Sequence, residues 1–528
     1  MSTRCQKPQS PGPPRCAASA TRDRHLPTLL VAGLLLVTAS RLPILFGGQT
    51  FPDGDESIVG LMAKHISEGE AFPAFFYGQR YGFSLFESGP VAIAFRVLGL
   101  SNEALKGTVF GLWAVGWCLF VLAARRWAGA AAACSAGVGL ALCPAWAAWS
   151  LKARGGYITA FVCMSLCLWL IATLCADRRP RIGRCVTLGI ALAVILLSQP
   201  IWLPTSLPFL ALLLYTRRRG LDVLLVMSGA IGALAIILLA TWGGQSQYWS
   251  PDLFDGANPA VAIGQLPGRW WTQLTGAFWM TSRLDAGPIV GLAAALWLLA
   301  FVLSAVFILR PRSSGPLLTP TRACVLSVVI HLAFSLLLNN DRFAYRYLLP
   351  ASAPLVLALA LGCAPWLRTA GRLRKVVTAS LGLLFVCSGL ALLEFRRISL
   401  AGFAVGEGHT HAAATEELIS HLTSEGIEHV YCTDPIFQWT LMFVSHERIV
   451  ARWIPPTDRV PRYPAAVDDA LRSGKPVAIV GWARHAPQML EIMRQREGAT
   501  EELRVVADTF FVVVDPGIHL VKRLGFRL

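Results

Sequence analysis

The stretch FPDGDESIVG, residues 51–60, places Asp53, Asp55 and Glu56 within four positions, directly after the first long apolar run. Like charges this close repel, so each acid needs a positive partner, a proton or a structural duty. Asp53 with Glu56 three residues on has the spacing of a capping box, and acids near a helix N-terminus also offset its dipole. On this reading Asp53 caps a helix and Glu56 supports the cap or the local electrostatics. Asp53→Asn should then cost little, because Asn caps as well. Asp55 has no such duty and is left for a cation or a proton.

Other side chains that could do chemistry are sparser. Basic residues stand at the ends of apolar runs: Lys152 and Arg154 in WSLKARGGY, Arg342 and Arg346 in RFAYRYLLP. Long basic side chains there ordinarily reach for lipid headgroups. The setting of Arg346, between Tyr345 and Tyr347 just ahead of a span, also suits an anion site. Trp242, Trp249, Trp270, Trp271 and Trp279 lie in or beside segment 242–287, where they fit an interfacial belt or stacking on sugar rings. His65, on the Lys64 side of its helix, is expected to be solvated. No His, Asp and Glu constellation has metal-ligand spacing and no Walker or dinucleotide-binding glycine motif occurs, so neither a cofactor nor a tightly bound metal is expected.

The elements that carry these residues belong to a membrane chain. The 528 residues are 55% hydrophobic and only 15% charged, and apolar runs of about 20 residues match the thickness of a bilayer. The net charge of +16 is spread in short clusters between the runs, which excludes a nucleic-acid interface. Spans are expected near 27–46, 105–124, 128–148, 156–176, 185–199, 201–216, 221–241, 288–309, 322–338, 348–366 and 376–394, eleven in all. The fifth and sixth are short and meet at Ser198-Gln199-Pro200, which leaves two helices or one broken element open.

Arg125-Arg126, Arg178 to Arg184, Arg217 to Arg219, Arg310 with Arg312, and Arg368 to Lys375 fall on alternate loops. By the positive-inside rule these loops and the basic residues 1–26, rich in Pro, Ser and Arg and expected to be disordered, are cytoplasmic. The acid-bearing loop 47–104 and everything beyond Glu394 are then exported. The run Leu26 to Ser40, followed by more apolar sequence, reads as an uncleaved signal-anchor. The cysteines sit mostly inside apolar runs and read as packing residues, not a disulfide framework.

Between the acids and Gly69, Ile58, Val59, Met62 and Ile66 recur at helical spacing, as in an amphipathic helix lying at the membrane interface. The segment 397–528 alternates helical stretches such as 411–426 with strand-like runs at 429–431, 476–480 and 504–514. It reads as a small soluble α/β domain following a membrane domain, 27–396.

Several of these stretches resemble the GT-C glycosyltransferases, in particular the protein O-mannosyltransferase and aminoarabinose-transferase-like branch. The likeness rests on Asp55-Glu56 after the first span, then Tyr77-Gly78-Gln79 with Tyr81-Gly82, WSLKARGGY (149–157), RFAYRYLLP (342–350), and the stretch 431–450. Arg80 departs from the pattern usual after Tyr-Gly-Gln. The resemblance implies a GT-C-like polytopic α-helical membrane protein with a C-terminal α/β domain. Its implied activity is inverting transfer of a sugar from a polyprenyl-phosphate donor to a glycan, lipid or protein acceptor on the outer face of the plasma membrane.

The resemblance further implies Asp55 as catalytic base with Glu56 beside it. Substrate contacts are implied for Tyr77, Gln79, Arg80, Lys152, Arg154, Tyr157, Arg342, Tyr345 and Arg346. The chemistry is coherent: an incoming hydroxyl needs a carboxylate near its proton, and a phosphate leaving group needs cations in place of a general acid. The alternative is a transporter or flippase of lipid-linked saccharides. Such a protein would carry charged groups along a path within its spans, whereas here the acids and several arginines gather on one face.

Overall fold

The computed structural model describes residues 26–45, 50–79, 82–177, 181–217, 220–241, 258–276, 287–309, 319–338, 344–394, 410–454, 459–495 and 502–528. Its first helices are α1 (Leu26–Leu45), α2 (Gly54–Glu68), α3 (Leu85–Leu98), α4 (Asn102–Leu142), α5 (Tyr157–Ala176), α6 (Ile182–Ser198) and α7 (Leu203–Arg217). They are followed by α8 (Gly220–Thr241), α9 (Pro259–Leu274), α10 (Pro288–Leu309), α11 (Pro320–Ser335), α12 (Leu349–Arg368) and α13 (Arg372–Glu394).

Among the described residues seven helices are long and apolar enough to cross a membrane: α1, α4, α5, α8, α10, α12 with its preceding turn, and α13. The eleven expected spans differ from these seven for two reasons. Helix α4, 41 residues long, covers two of them and breaks at Ala128 and Gly129, where Gly129 takes φ +76° just after Arg125-Arg126. Helices α6, α7 and α11, at 17, 15 and 16 residues, are short for a bilayer. Helices α6 and α7 are separate, divided by a 3₁₀ turn at Pro200–Trp202. Helix α12, with 89% of its apolar window buried, is the centre of the bundle, whereas α8, with 17%, lies at its rim. Helix α8 still packs backbone to backbone on α6, because a Cβ on Gly189 would come within 2.0 Å of the Val226 carbonyl oxygen.

Three of the basic loops meet at one end of the bundle. Arg126, Arg181 and Arg184 pair with Asp177 at 3.4, 3.4 and 2.5 Å, and Arg217 pairs with Asp222 at 2.9 Å while donating to the Asp177 carbonyl.

The C-terminal segment holds α14 (His411–Ser424), β1 (His429–Cys432), α15 (Phe437–Val444), β2 (Val450–Arg452), α16 (Arg462–Arg472) and β3 (Val477–Trp482). It continues through α17 (Ala486–Arg494), β4 (Leu503–Val506), β5 (Phe510–Val514) and α18 (Ile518–Arg523). The sheet order is β2-β1-β3-β5-β4, with β1 parallel to both neighbours and β5 antiparallel to β3 and β4. The run 504–514, expected as one strand, is a hairpin. It turns at Ala507 and Asp508 with φ +52° and +50°; Asp tolerates that region, but Ala507 carries no turn signal.

One expectation needs correcting. Helix α2 does not lie on the membrane surface with its apolar side in lipid. Ile58, Val59 and Met62 are buried, and α2 packs between α3 and α15 of the C-terminal segment.

Candidate active site

The site is built on the first turn of α2. Asp53 is the N-cap: its Oδ1 accepts the Glu56 amide at 3.0 Å, and Glu56 Oε2 accepts the Asp53 amide at 3.2 Å, completing the capping box expected from their spacing. Both acids are buried to 0% exposure, which a cap alone does not require. Lys152 explains it, with its ammonium 2.9 Å from Asp53 and 2.7 Å from Glu56. Arg154 reaches Asp53 at 2.9 Å, and Lys106, from the start of α4, pairs with Glu56. Burial alone would raise the Asp53 carboxyl, but Arg154 and Lys152 outweigh it and hold it well below the usual carboxylate range. The view of Asp53 as a cap and nothing more is therefore wrong. Asn would keep the cap and leave two cations short of a buried negative charge.

Lys152 and Arg154, buried to 0% and 5% exposure, are not snorkelling towards headgroups. They come from the segment after a 3₁₀ turn at Trp149–Leu151. Arg41 of α1 braces that turn, donating to Ser150 Oγ at 2.6 Å and to the Ala141 carbonyl at 2.8 Å.

Asp55 differs from its neighbours. Its side chain keeps 33% exposure and meets Arg154 at 3.2 Å. Within Coulombic reach of it is Arg346, which also interacts with Tyr157 and Tyr347. Arg346 lies in the 3₁₀ turn Ala344–Leu348 that leads into α12, with its guanidinium 5.1 Å over the Tyr347 ring. His331 steadies the turn by donating from Nε2 to the Tyr347 carbonyl at 2.6 Å. Tyr157 opens α5 with its ring 4.8 Å from that of Trp149, and Trp149 in turn lies 5.9 Å from the Arg154 guanidinium. The chain reverses into α5 through Gly155 and Gly156; a Cβ on Gly156, at φ +94°, would come within 2.8 Å of Ser198 Cβ.

Asp55, Glu56, Lys152, Arg154, Tyr157 and Arg346, scattered along most of the membrane domain, thus gather at one place. Tyr77 goes elsewhere. Its hydroxyl lies 2.5 Å from His65 Nδ1 and its carbonyl accepts from Arg459 at 3.3 Å. Gln79 sits in the turn after it, its backbone N–H donating to the Phe76 carbonyl at 3.0 Å. Arg80 and Arg342 lie outside the described residues, and of Tyr345 only the backbone, in the 344–348 turn, is described. Of the tryptophans, Trp270 is buried and Trp271 is 40% exposed; Trp242, Trp249 and Trp279 lie outside the described residues.

His65 is not solvated as expected. At 1% exposure it lies between Tyr77 and Glu447, 3.0 Å from the latter. Lys106 went unassigned in the sequence, although a lone cation just inside an apolar span is a signal in itself. Glu87 was also missed. This buried carboxylate of α3 accepts from the Ile158 and Thr159 amides at 3.1 Å each, and so caps the helix that carries Tyr157. Burial pushes its carboxyl up to about 7 against those donors. Among the described residues no group of three His, Cys, Asp or Glu side chains could hold a metal ion.

No protein-family profile and no curated protein sequence matches the chain. Solved structures do. The aminoarabinose transferase ArnT from Cupriavidus metallidurans bound to undecaprenyl phosphate is 12% identical, with a TM-score of 0.59 over 95% of this chain and 99% of that one. The same protein in the apo state gives 13% identity and 0.58 over the same shares. The arabinofuranosyltransferase AftD from mycobacteria gives 13% identity and 0.50 over 87% of this chain and 36% of that one. The fold is the GT-C fold. This multi-pass architecture spans nearly the whole chain.

Proposed function

We propose that this chain is a membrane glycosyltransferase that moves a sugar from a polyprenyl-phosphate donor to a hydroxyl of a glycan, lipid or protein in the cell envelope. The carrying observation is that Asp55 alone of the three clustered acids keeps an open side chain, and that two arginines from distant loops attend it. Asp55 takes the proton of the acceptor hydroxyl as its oxygen attacks the anomeric carbon. The bond to the phosphate breaks on the opposite side, so a single displacement inverts the centre. The leaving group departs as a phosphate monoester with negative charge, which Arg346 and Arg154 offset without a general acid. Lys152, Lys106 and Glu56 stand behind the reacting atoms and fix the first turn of α2. The GT-C fold, shared with a transferase captured with undecaprenyl phosphate, supports this reading.

The cations buried in spans do not mark a transport path. Arg41 and Lys106 both point to the acid-bearing end of the bundle, where Arg41 donates to Ser150 and the Ala141 carbonyl and Lys106 pairs with Glu56.

Arg346→Lys keeps the charge but loses the planar fork, and is expected to raise the apparent donor KM about tenfold with little change in unfolding temperature. Steady-state kinetics in nanodiscs check this. An Arg346→Ala variant with wild-type donor KM and kcat would reduce the residue to a headgroup anchor.

The proposed site lies on the outer face of the plasma membrane, with the N-terminus cytoplasmic and the C-terminal segment exported. The basic cluster around Asp177, at one end of the bundle, supports this orientation. Alkaline phosphatase fused after Leu528 should be active and green fluorescent protein at the same place dark; the reverse pattern would invert the topology.

A further inference from the structure

Among the described residues the Asp55 side chain has a single ion pair, with Arg154, so its position depends on the helix that carries it. Beyond the buried cations at its first turn, what fixes α2 comes from the other end of the chain. Helix α15 runs alongside it in the same direction, and successive contacts pair residues in parallel register. At the first turn, a Cβ on Gly54 would lie 2.4 Å from the Ile436 carbonyl oxygen, so the backbone between Asp53 and Asp55 is pressed directly onto the start of α15. Two turns on, a Cβ on Gly60 would lie 2.4 Å from the Phe443 ring. At the last turn Glu447 closes the contact, with Lys64 Nζ at 2.7 Å and His65 Nε2 at 3.0 Å.

Glu447 is held for this role from its own side. The Tyr463 hydroxyl donates to its Oε1 at 2.6 Å. His446 and Glu447 both adopt left-handed backbone conformations, φ +56° and +61°. Two successive residues with side chains seldom take that region, and they do so where surrounding structure enforces it. The effect here is to turn the chain at the end of α15 so that the Glu447 carboxylate faces α2. Burial would raise that carboxyl, but the hydrogen bonds from His65, Lys64 and Tyr463 hold it well below the usual carboxylate range.

We propose that α15 and the turn after it form a clamp that fixes the register of α2, and that Glu447 is a positioning residue for Asp55. The inference rests on the reading of Asp55 as the base, and gives the C-terminal segment its part in the reaction. A general base must stand within about 2.6–3.2 Å of the oxygen whose proton it takes, and misplacement by about 1 Å costs on the order of 10²-fold in rate. The clamp sets that distance through a rigid helix instead of through contact with substrate. It predicts a loss in kcat with little loss in donor binding, because Arg346 does not lie on α2 and Arg154 keeps its pair with Asp53 at the buried first turn.

The test uses full-length protein in nanodiscs carrying Glu447→Gln, which keeps the shape and loses the charge. Turnover is read as polyprenyl phosphate released from the lipid-linked sugars of a native membrane extract, and the amides of 54–68 by hydrogen exchange with mass spectrometry. Expected are faster exchange confined to 54–68, a kcat at least tenfold lower, a donor KM within twofold of wild type, and partial recovery of kcat in Glu447→Asp. Wild-type kcat in Glu447→Gln, or unchanged exchange across 54–68, overturns the clamp. So does a loss of activity that merely tracks the amount of folded protein. Should Glu447→Gln fail to fold, Lys64→Met removes one arm of the same contact and is judged by the same readings. A wild-type protein that releases no polyprenyl phosphate would count against the transferase reading alone; the exchange measurement needs no substrate and decides the clamp by itself.

Discussion

Asp55→Asn is expected to lower turnover by on the order of 10²- to 10⁴-fold, the usual cost of losing a general base, while the unfolding temperature stays where it was. The two halves of this expectation have separate causes. The substituted amide would keep the size of the side chain but accept no proton at working pH, so the attacking hydroxyl would lose its base. The fold loses little, because Asp55 is one-third exposed and its only ion pair among the described residues is with Arg154, which keeps Asp53 at 2.9 Å. Exposed and partly exposed pairs contribute about 0–1 kcal/mol. Donor KM should change little, since the phosphate is assigned to Arg346 and Arg154. A fully active Asp55→Asn enzyme with normal stability would remove Asp55 from the mechanism.

Lys152→Met is expected to do the opposite: its primary effect is on the fold. The ammonium of Lys152 lies between Asp53 and Glu56, and all three side chains are wholly buried. Methionine fills the same volume but leaves two carboxylates facing each other with Arg154 and Lys106 as their remaining partners. Removing one member of a buried ionic group typically costs about 3–5 kcal/mol, because the survivor is left charged and desolvated. Thermal unfolding in nanodiscs should show a midpoint lower by several degrees or more, with poor recovery of folded protein. Asp53→Asn belongs to the same experiment. It keeps the cap yet should destabilise by roughly 1–3 kcal/mol through its stranded cations, where cap chemistry alone would foresee almost nothing. Midpoints within about a degree of wild type for both variants would show that the cluster does not hold α2.

What the sequence revealed about this site follows the distance between partners. The capping box of Asp53 and Glu56 is a relation between neighbours, and it was legible from their spacing. So were the apolar helices, because a bilayer imposes their length and composition directly. The pairing of Lys152 with Asp53 spans 99 positions and that of Lys106 with Glu56 spans 50; nothing local specifies either, so Asp53 was assigned a cap and no more. Helix α2 shows a different limit. An apolar stripe says that one face is covered but not by what, and here protein covers it where lipid was expected. His65 looked solvated for the same reason, since its partner Glu447 stands 382 positions away. Arg154 and Arg346 were recognisable as cations at span ends, but only the folded chain pairs Arg154 with Asp55 and puts Arg346 within electrostatic reach of it.

The central claim, that Asp55 serves sugar transfer from a polyprenyl-phosphate donor, is most directly tested by mass spectrometry of the lipid-linked sugars and envelope glycans of cells carrying either the intact chain or Asp55→Asn at equal expression. The expected result is accumulation of one polyprenyl-phosphate sugar in the Asp55→Asn cells together with loss of that same sugar from an envelope glycan, lipid or protein. Identical lipid-linked pools and identical envelope sugars in the two strains would contradict it.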